Sequence, residues 1–347
     1  MKIGLLSLPV SHNYGHVLQI FALYRVLSDL GHEPILLNRR WNNISEPSLM
    51  TSIKRFVYQE GICYHFTSFI RNNLNVSKEV RGTQQLKDLS KKLGLEAIIV
   101  GSDQVWRIES TRGADLNFFL DFAEGEKKIS YAASFGTDSW SGSSIESCMV
   151  KNLLSRFDSV SVREQSGVSL CKEVFGIQAK CVLDPTLLLD RSIYQSLGLK
   201  VKSKATLATY ILDSSDSKNE FIEKVASKLT LKTNCLYKGD KLLTTYLSVR
   251  KWLSSIMCAD YVIVDSFHGM VFSIIFEKQF IVICNKKRGA TRFISLLSQL
   301  GLEDRMIEDC NMDIDGLLSR VIDYKKVNVR LQALRCDSYA YLIGSLK

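Results

Sequence analysis

The sequence predicts an α/β protein built as two doubly wound, Rossmann-like lobes. Three observations carry this. Short apolar runs alternate with longer segments of helical periodicity, the pattern of parallel sheets covered by helices. The alternation restarts after Asp190. The chain has 347 residues, which suits two ordinary domains better than one.

Taken in order, "KIGLLSL" reads as a first strand. In "NYGHVLQIFALYRVLSDLG", Val17, Leu18, Phe21, Ala22, Tyr24 and Leu27 fall at helical spacing, and Gly31 ends the helix. "EPILLN" is a second strand, and an irregular, mainly helical stretch fills Ser45 to Leu93. "EAIIVGS" and "KKISYAASFG" are buried strands. "DSVSVRE" and "KCVLDPTLLL" are short strands flanking a helix from Gln165 to Val174. After the restart come a strand "ATLATYIL", a helix "SKNEFIEKVASKL" and a strand "TNCLYKG". A helix around Trp252 follows, then the strand "YVIVDS", a helix opened by His268-Gly269 and the strand "QFIVICN". The expected division is 1–195 for an N-terminal lobe and 196–347 for a C-terminal lobe. The segments from Ile314 to Leu346 should be helical and pack back on the first lobe.

Composition narrows the function classes. Hydrophobic residues make up 46% and charged residues 23%, a globular balance with ample core material. The net charge of +9 suits an anionic ligand or membrane surface. No basic run is interleaved with aromatics, so no nucleic acid is expected as a partner. "MKIGLLSLPV" is too short an apolar run for a signal peptide, and no stretch approaches the ~20 apolar residues of a membrane span. Nine dispersed cysteines without a Cys-x-x-Cys pair read as reduced thiols, with no metal site and no cofactor.

In open parallel sheets, ligands bind beyond the carboxyl ends of strands, often at helix N-termini. Four stretches place polar residues there. In "SHNYGHVLQ", Asn13 and Tyr14 enter a helix whose free N–H groups can hold an anion or a sugar hydroxyl; a plain helix cap explains them as well. In "VGSDQVWR", Asp103 suits a cap, but Gln104 and Trp106 beside it suit a carbohydrate. Arg163 in "SVREQSG" is either a surface charge or a carboxylate or phosphate clamp. Finally, "VIVDSFHGMVFSIIF" puts His268 and Gly269 at a strand-to-helix turn, and Arg288 and Arg292 follow one strand later in a basic loop. There is neither a Walker-type phosphate loop nor a Gly-x-Gly-x-x-Gly after the first strand, which disfavours P-loop and dinucleotide enzymes.

"NYGHVLQIFALYRVLSDLGHEP", "VGSDQVWR", "FFLDFAEGEKKISYAASFG", "SVREQSG", "VLDPTLLL", "YVIVDSFHGMVFSIIF" and "RGATRF" occur in the order and spacing of the polysaccharide pyruvyl transferase family. The resemblance spans about Lys2 to Arg305. It implies lobes similar to those of GT-B glycosyltransferases, the first on the acceptor side and the second on the donor side. It implies transfer of a pyruvyl group from phosphoenolpyruvate to a sugar diol of a cell-surface glycan or its lipid-linked precursor. The implied location is cytoplasmic, with peripheral contact at the inner membrane face. Family members carry Arg-Leu-His-Gly where this chain has Ser266-Phe267-His268-Gly269. The catalytic role therefore carries over to His268, while the arginine is replaced by Ser266 and its charge falls to Arg288 or Arg292. Arg163 matches another donor-binding arginine of the family. On this reading His268 moves protons, Asp103 orients an acceptor hydroxyl, Arg163, Arg288, Arg292, Ser266 and Gly269 hold the donor, and Asn13, Tyr14, Gln104 and Trp106 contact the acceptor. The rival reading is a GT-B glycosyltransferase with a nucleotide-sugar donor, for which Glu277 is the nearby acidic ribose ligand. A non-catalytic glycan- or lipid-binding module would leave His268 unexplained.

Overall fold

The computed structural model describes residues 1–42, 61, 63–199, 205–237, 246–285 and 289–347. It divides into two compact units: Met1–Leu189 with Leu334–Lys347, and Asp190–Ala333. Each unit carries its own parallel sheet with helices in the connections.

In the first unit, β1 (Lys2–Leu6), β2 (Glu33–Leu36), β3 (Ala97–Gly101) and β4 (Lys127–Tyr131) pair in the order β2-β1-β3-β4, all parallel. The short pair β5 (Ser161–Val162) and β6 (Lys180–Cys181) continues beyond β4 through single bridges at Ile129–Ser159 and Ala133–Val162. The central strands are buried on both faces, which is why β3 is the unbroken apolar run "AIIVG". The first helix, Tyr14–Asp29, is capped at Asn13 and terminated by Gly31, whose φ of 82° lies in the left-handed region that favours glycine. Helices Tyr64–Asn73 and Gly82–Leu93 occupy the described part of the irregular stretch; residues 43–60 and 62 lie outside the described residues. The helix Ser144–Leu154 carries a capping box between Ser143 and Glu146, a signal that "SGSSIE" offered and that was not read as a helix start.

The second unit orders its strands β11 (Met306–Ile307), β10 (Gln279–Ile283), β9 (Tyr261–Val264), β7 (Thr206–Tyr210) and β8 (Lys232–Cys235), again all parallel. Its core gathers Leu207, Phe221, Val225, Ile263 and Ile281. Arg292, expected in a basic loop, is the second residue of the helix Thr291–Leu300 and is buried. The long helix Tyr324–Ser345 contributes its first part to this unit and its last part to the other.

Candidate functional site

Each sheet has one place where the connections diverge to opposite sides. In the first unit the chain leaves β1 for β2 on one flank and later enters β3 on the other, so the divergence lies between β1 and β3. In the second unit it lies between β7 and β9. Beyond the carboxyl ends of such strand pairs, open α/β sheets form ligand crevices.

At the β1/β3 end, the side-chain oxygen of Asn13 accepts the His16 backbone N–H (3.1 Å), fixing the start of the first helix. His16 stands one turn in and is 2% exposed. Its Nδ1 lies 2.8 Å from Oδ2 of Asp103, which follows β3. The other oxygen of Asp103 accepts the Gln104 N–H at 2.8 Å. His16 Nε2 is buried and has no hydrogen-bond partner among the described residues. The sequence reading passed over His16; its signal was an imidazole at the third position of a helix that opens just beyond a buried strand.

Two expectations for this end are corrected. Trp106 is not an open platform: it is fully buried, stacked on Phe119 at 5.7 Å, with its indole N–H donated to the Phe118 carbonyl (2.9 Å). Tyr14 likewise belongs to the core, its ring 4.8 Å from that of Phe66. Asn13 is exposed, and Gln104 is partly exposed with its Oε1 accepting from Arg107 (3.1 Å).

Arg163 follows β5 and is also corrected. Its guanidinium is buried against Asp184 (2.7 Å). Asp184 further accepts from Ser102 Oγ, Thr186 Oγ and the Thr186 N–H. The pair neutralises itself inside the unit, so this arginine is not an open anion clamp. The adjoining Glu164 is fully buried and accepts from Ser134 Oγ and the N–H groups of Phe135 and Gly136, locking the turn after β4. Burial, with the charge of Glu164 adding to it, pushes the Cys171 thiol up to about 12.

At the β7/β9 end, Asp265 staples the two sides of the divergence. Its carboxylate accepts the N–H groups of Leu212 (2.6 Å) and Asp213 (3.1 Å), and Lys218 Nζ lies 2.7 Å away. Asn285, just past β10, bonds both Asp213 and Asp265. Ser266 caps the next helix, Phe267–Ile275, by accepting the Gly269 N–H at 3.0 Å. His268 is the second residue of that helix and is 9% exposed. The Phe267 ring joins two candidate groups: the His268 imidazole lies 5.3 Å from its centroid and the Arg292 guanidinium 5.5 Å. Gly269 has a packing reason as well. A Cβ there would stand 2.7 Å from Ser266 Oγ and 2.8 Å from Val264 Cγ1. Arg288 lies outside the described residues.

Glu277, the acidic group of the rival reading, stands after the end of this helix, toward the start of β10 and so at the opposite edge of the sheet from His268. It is held by Arg191 (2.9 Å) and Asn328 (2.8 Å). Among the described residues, no three His, Cys, Asp or Glu side chains gather as metal ligands, and no helix is long and apolar enough to cross a membrane.

A family profile described as polysaccharide pyruvyl transferase matches residues 13–286. No curated protein matches the sequence significantly. Among solved structures, the chain is similar to a protein assigned as a UDP-N-acetylglucosamine 2-epimerase from Listeria monocytogenes, with a TM-score of 0.54 at 8% identity over 96% of this chain and 90% of that one. It is also similar to a glycosyltransferase from Rickettsia africae ESF-5, with a TM-score of 0.49 at 10% identity over 98% and 93% of the two chains. At these identities the likeness is one of fold, and the two parallel α/β units match the GT-B-like class expected from the sequence.

Proposed function

Because the chain belongs to the polysaccharide pyruvyl transferase family, we propose that it moves the pyruvyl group of phosphoenolpyruvate onto two hydroxyls of one glycan, giving a cyclic ketal and phosphate. The second unit holds the donor and the first holds the acceptor. The observation that carries this is the grouping of His268 and Arg292 on the Phe267 ring, at the N-terminus of the helix that follows β9.

Phosphoenolpyruvate is small and anionic, so its site needs a cation and helix N–H groups more than apolar walls. Arg292 supplies the charge that Ser266 lacks, while Ser266 itself shapes the helix start. Arg288 is the second cation of the proposal. In the reaction, C3 of the enol gains a proton, two hydroxyl oxygens bond to C2, and phosphate departs with its bonding pair. One hydroxyl proton thus ends on C3 and the other on phosphate. An imidazole can carry such a proton, and His268 is the group assigned to do so. The acceptor is a cell-surface polysaccharide or its lipid-linked precursor, reached by peripheral attachment of this +9 chain to the cytoplasmic membrane face.

The test is to incubate the protein with glycan acceptors and either phosphoenolpyruvate or nucleotide sugars. Phosphate release with loss of two acceptor hydroxyls by mass spectrometry is expected from the first donor only. Release of nucleoside diphosphate with transfer of a sugar would overturn the reading. Washing a membrane fraction with high salt should release the protein, since exposed electrostatic attraction is screened; retention until detergent is added would refute the peripheral attachment.

A further inference from the structure

We infer that the carboxyl end of β2 carries a saccharide subsite, in which Trp41 is the platform for one sugar ring and Asn42, Asp115 and Arg39 bond its oxygens. The subsite lies wholly within the first unit and rests on the reading above that this unit holds the glycan acceptor. Because β2 runs parallel to β1, Arg39 to Asn42 emerge at the edge of the sheet where Asn13 and Asp103 also stand. That is the edge at which α/β sheets take ligands. Arg40 Nη1 reaches the Val10 carbonyl (3.4 Å) in the loop that follows β1.

Trp41 is 39% exposed, and it is held in place. Its carbonyl accepts from Arg81 Nη1 (3.1 Å), and the N–H of the next residue, Asn42, goes to the Gly113 carbonyl (2.8 Å). The indole lies against Gly113 and edge-on to Phe118, 6.4 Å between ring centroids. A lone exposed aromatic needs no explanation. Three further features at the same spot do.

The first is Asp115, whose φ of 51° and ψ of −139° are costly for any residue with a Cβ. Its side chain nevertheless stays 43% exposed, with Asn42 Nδ2 donating to it at 2.9 Å. The second is Arg39, whose side chain is fully buried. Its Nε donates to Asn117 (2.6 Å) and its Nη2 to Asn42 (2.9 Å), while Nη1 has no hydrogen-bond partner among the described residues. Buried donors are nearly always partnered. An oxygen of the ligand, entering beside Asn42 and Asp115, is the acceptor that Nη1 lacks. The third is the helix Gly82–Leu93, which starts here without a side-chain cap. A Cβ on Gly82 would lie 3.9 Å from Asp115 Oδ2 and 4.0 Å from Asn42 Oδ1. The first N–H groups of such a helix also seek an oxygen.

This mixture selects a sugar. A pyranose offers a C–H face to an indole, and its hydroxyls both donate and accept, so they suit a guanidinium, an amide and a carboxylate side by side. A bare anion suits the place poorly, because Asp115 and the Glu79 carboxylate paired with Arg81 (2.8 Å) stand among the cations. Trp41 thus fills the role of aromatic platform that the buried Trp106 cannot.

The test needs no phosphoenolpyruvate. The full chain is labelled with 5-fluorotryptophan, its four ¹⁹F signals are assigned by Trp→Phe variants, and lactose, cellobiose, mannobiose and chitobiose are titrated in. At least one disaccharide should shift the Trp41 signal. Trp41→Ala should keep its melting temperature and weaken that disaccharide on the order of tenfold. Asp115→Gly separates binding from structure: it relieves the backbone, so the melting temperature should hold or rise while affinity falls on a similar scale. No Trp41 shift with any of the four, or unchanged affinity in either folded variant, would overturn the subsite. The wild-type shift decides even where a variant fails to fold. The pyruvyl-transfer reading fails separately. Disaccharide binding at Trp41 without phosphate release from phosphoenolpyruvate would leave the subsite standing, and phosphate release at unchanged acceptor KM in Trp41→Ala would sink the subsite alone.

Discussion

Removing the guanidinium of Arg163 takes a cation from the buried Asp184 and leaves the contacts from Ser102 and Thr186 in place. Losing one member of a buried pair costs about 3–5 kcal/mol. Arg163→Ala should therefore unfold at lower urea, and any drop in phosphoenolpyruvate affinity should track the unfolded fraction. Lost affinity at unchanged stability would restore the arginine to the donor site. The sequence could not separate these cases, because Asp184 lies 21 residues downstream and only the fold brings it to the guanidinium. Trp106 was misread for the same reason: an indole beside Asp103 and Gln104 looks like a sugar platform until Phe119 is found stacked on it. His268 stands out in the sequence because Gly and an apolar run bracket it, and the helix start expected there is present. His268→Ala should fold normally and bind phosphoenolpyruvate, with turnover reduced about 10²–10⁴-fold. Turnover near wild type in the folded variant would remove His268 from the chemistry.

At the scale of single elements, the helix Phe267–Ile275 is constrained where it leaves β9. Its cap, its imidazole and its closest approach to Val264 fall within four consecutive residues, Ser266 to Gly269. Gly269→Ala would force a methyl group into Ser266 Oγ and Val264, and overpacking of this kind costs about 1–3 kcal/mol. The expected result is a lower melting temperature and, because the cap must shift, a loss of turnover larger than the stability change explains. Unaltered stability would mean that Val264 yields at no cost. The strands were readable because central parallel strands are apolar on both faces, as in "AIIVG" and "YVIV". The helix Thr291–Leu300 was not, since Ala290 gives it no side-chain cap and a basic run precedes it.

Over the whole molecule, alternation of strands and helices announced two parallel sheets, but strand order is absent from any local pattern. The divergence points at β1/β3 and β7/β9, which pick out His16 and His268, emerge only from the pairing. Both units share a sensitivity to alkali. Burial raises the Tyr341 hydroxyl in the first unit to about 12, and burial, partly offset by Arg305, raises Tyr261 in the second to about 12. An unfolded tyrosine titrates near ~10. Below that pH both states are protonated and the stabilisation is intact. Above it the unfolded chain gives up protons that the folded one keeps, so stability falls until pH passes about 12. Urea midpoints should decline between those limits, and Tyr341→Phe should flatten the decline. An unchanged slope in that variant would show that Tyr341 takes no part.

The division of the long C-terminal helix bears on the order in which a nascent chain can fold. The first unit is finished only by residues from Leu334 onward: Ser338 Oγ accepts the Leu183 N–H, Arg335 and Tyr339 donate to the carbonyls of Leu187, Leu189 and Leu188, and the Tyr341 hydroxyl donates to the Ser130 carbonyl. The second unit, Asp190–Ala333, is continuous and needs no earlier segment to close its own sheet. Domains usually mature from the N-terminus as they leave the ribosome. Here that sequence of events is reversed: the unit synthesised first must wait for residues made after the second unit. Ribosome-bound chains stalled at Ala333 should present a protease-resistant second unit beside a first unit that is still cleaved, and release of the full chain should protect both. Equal protection of the two at the stall would show that the first unit matures without its final helical segment.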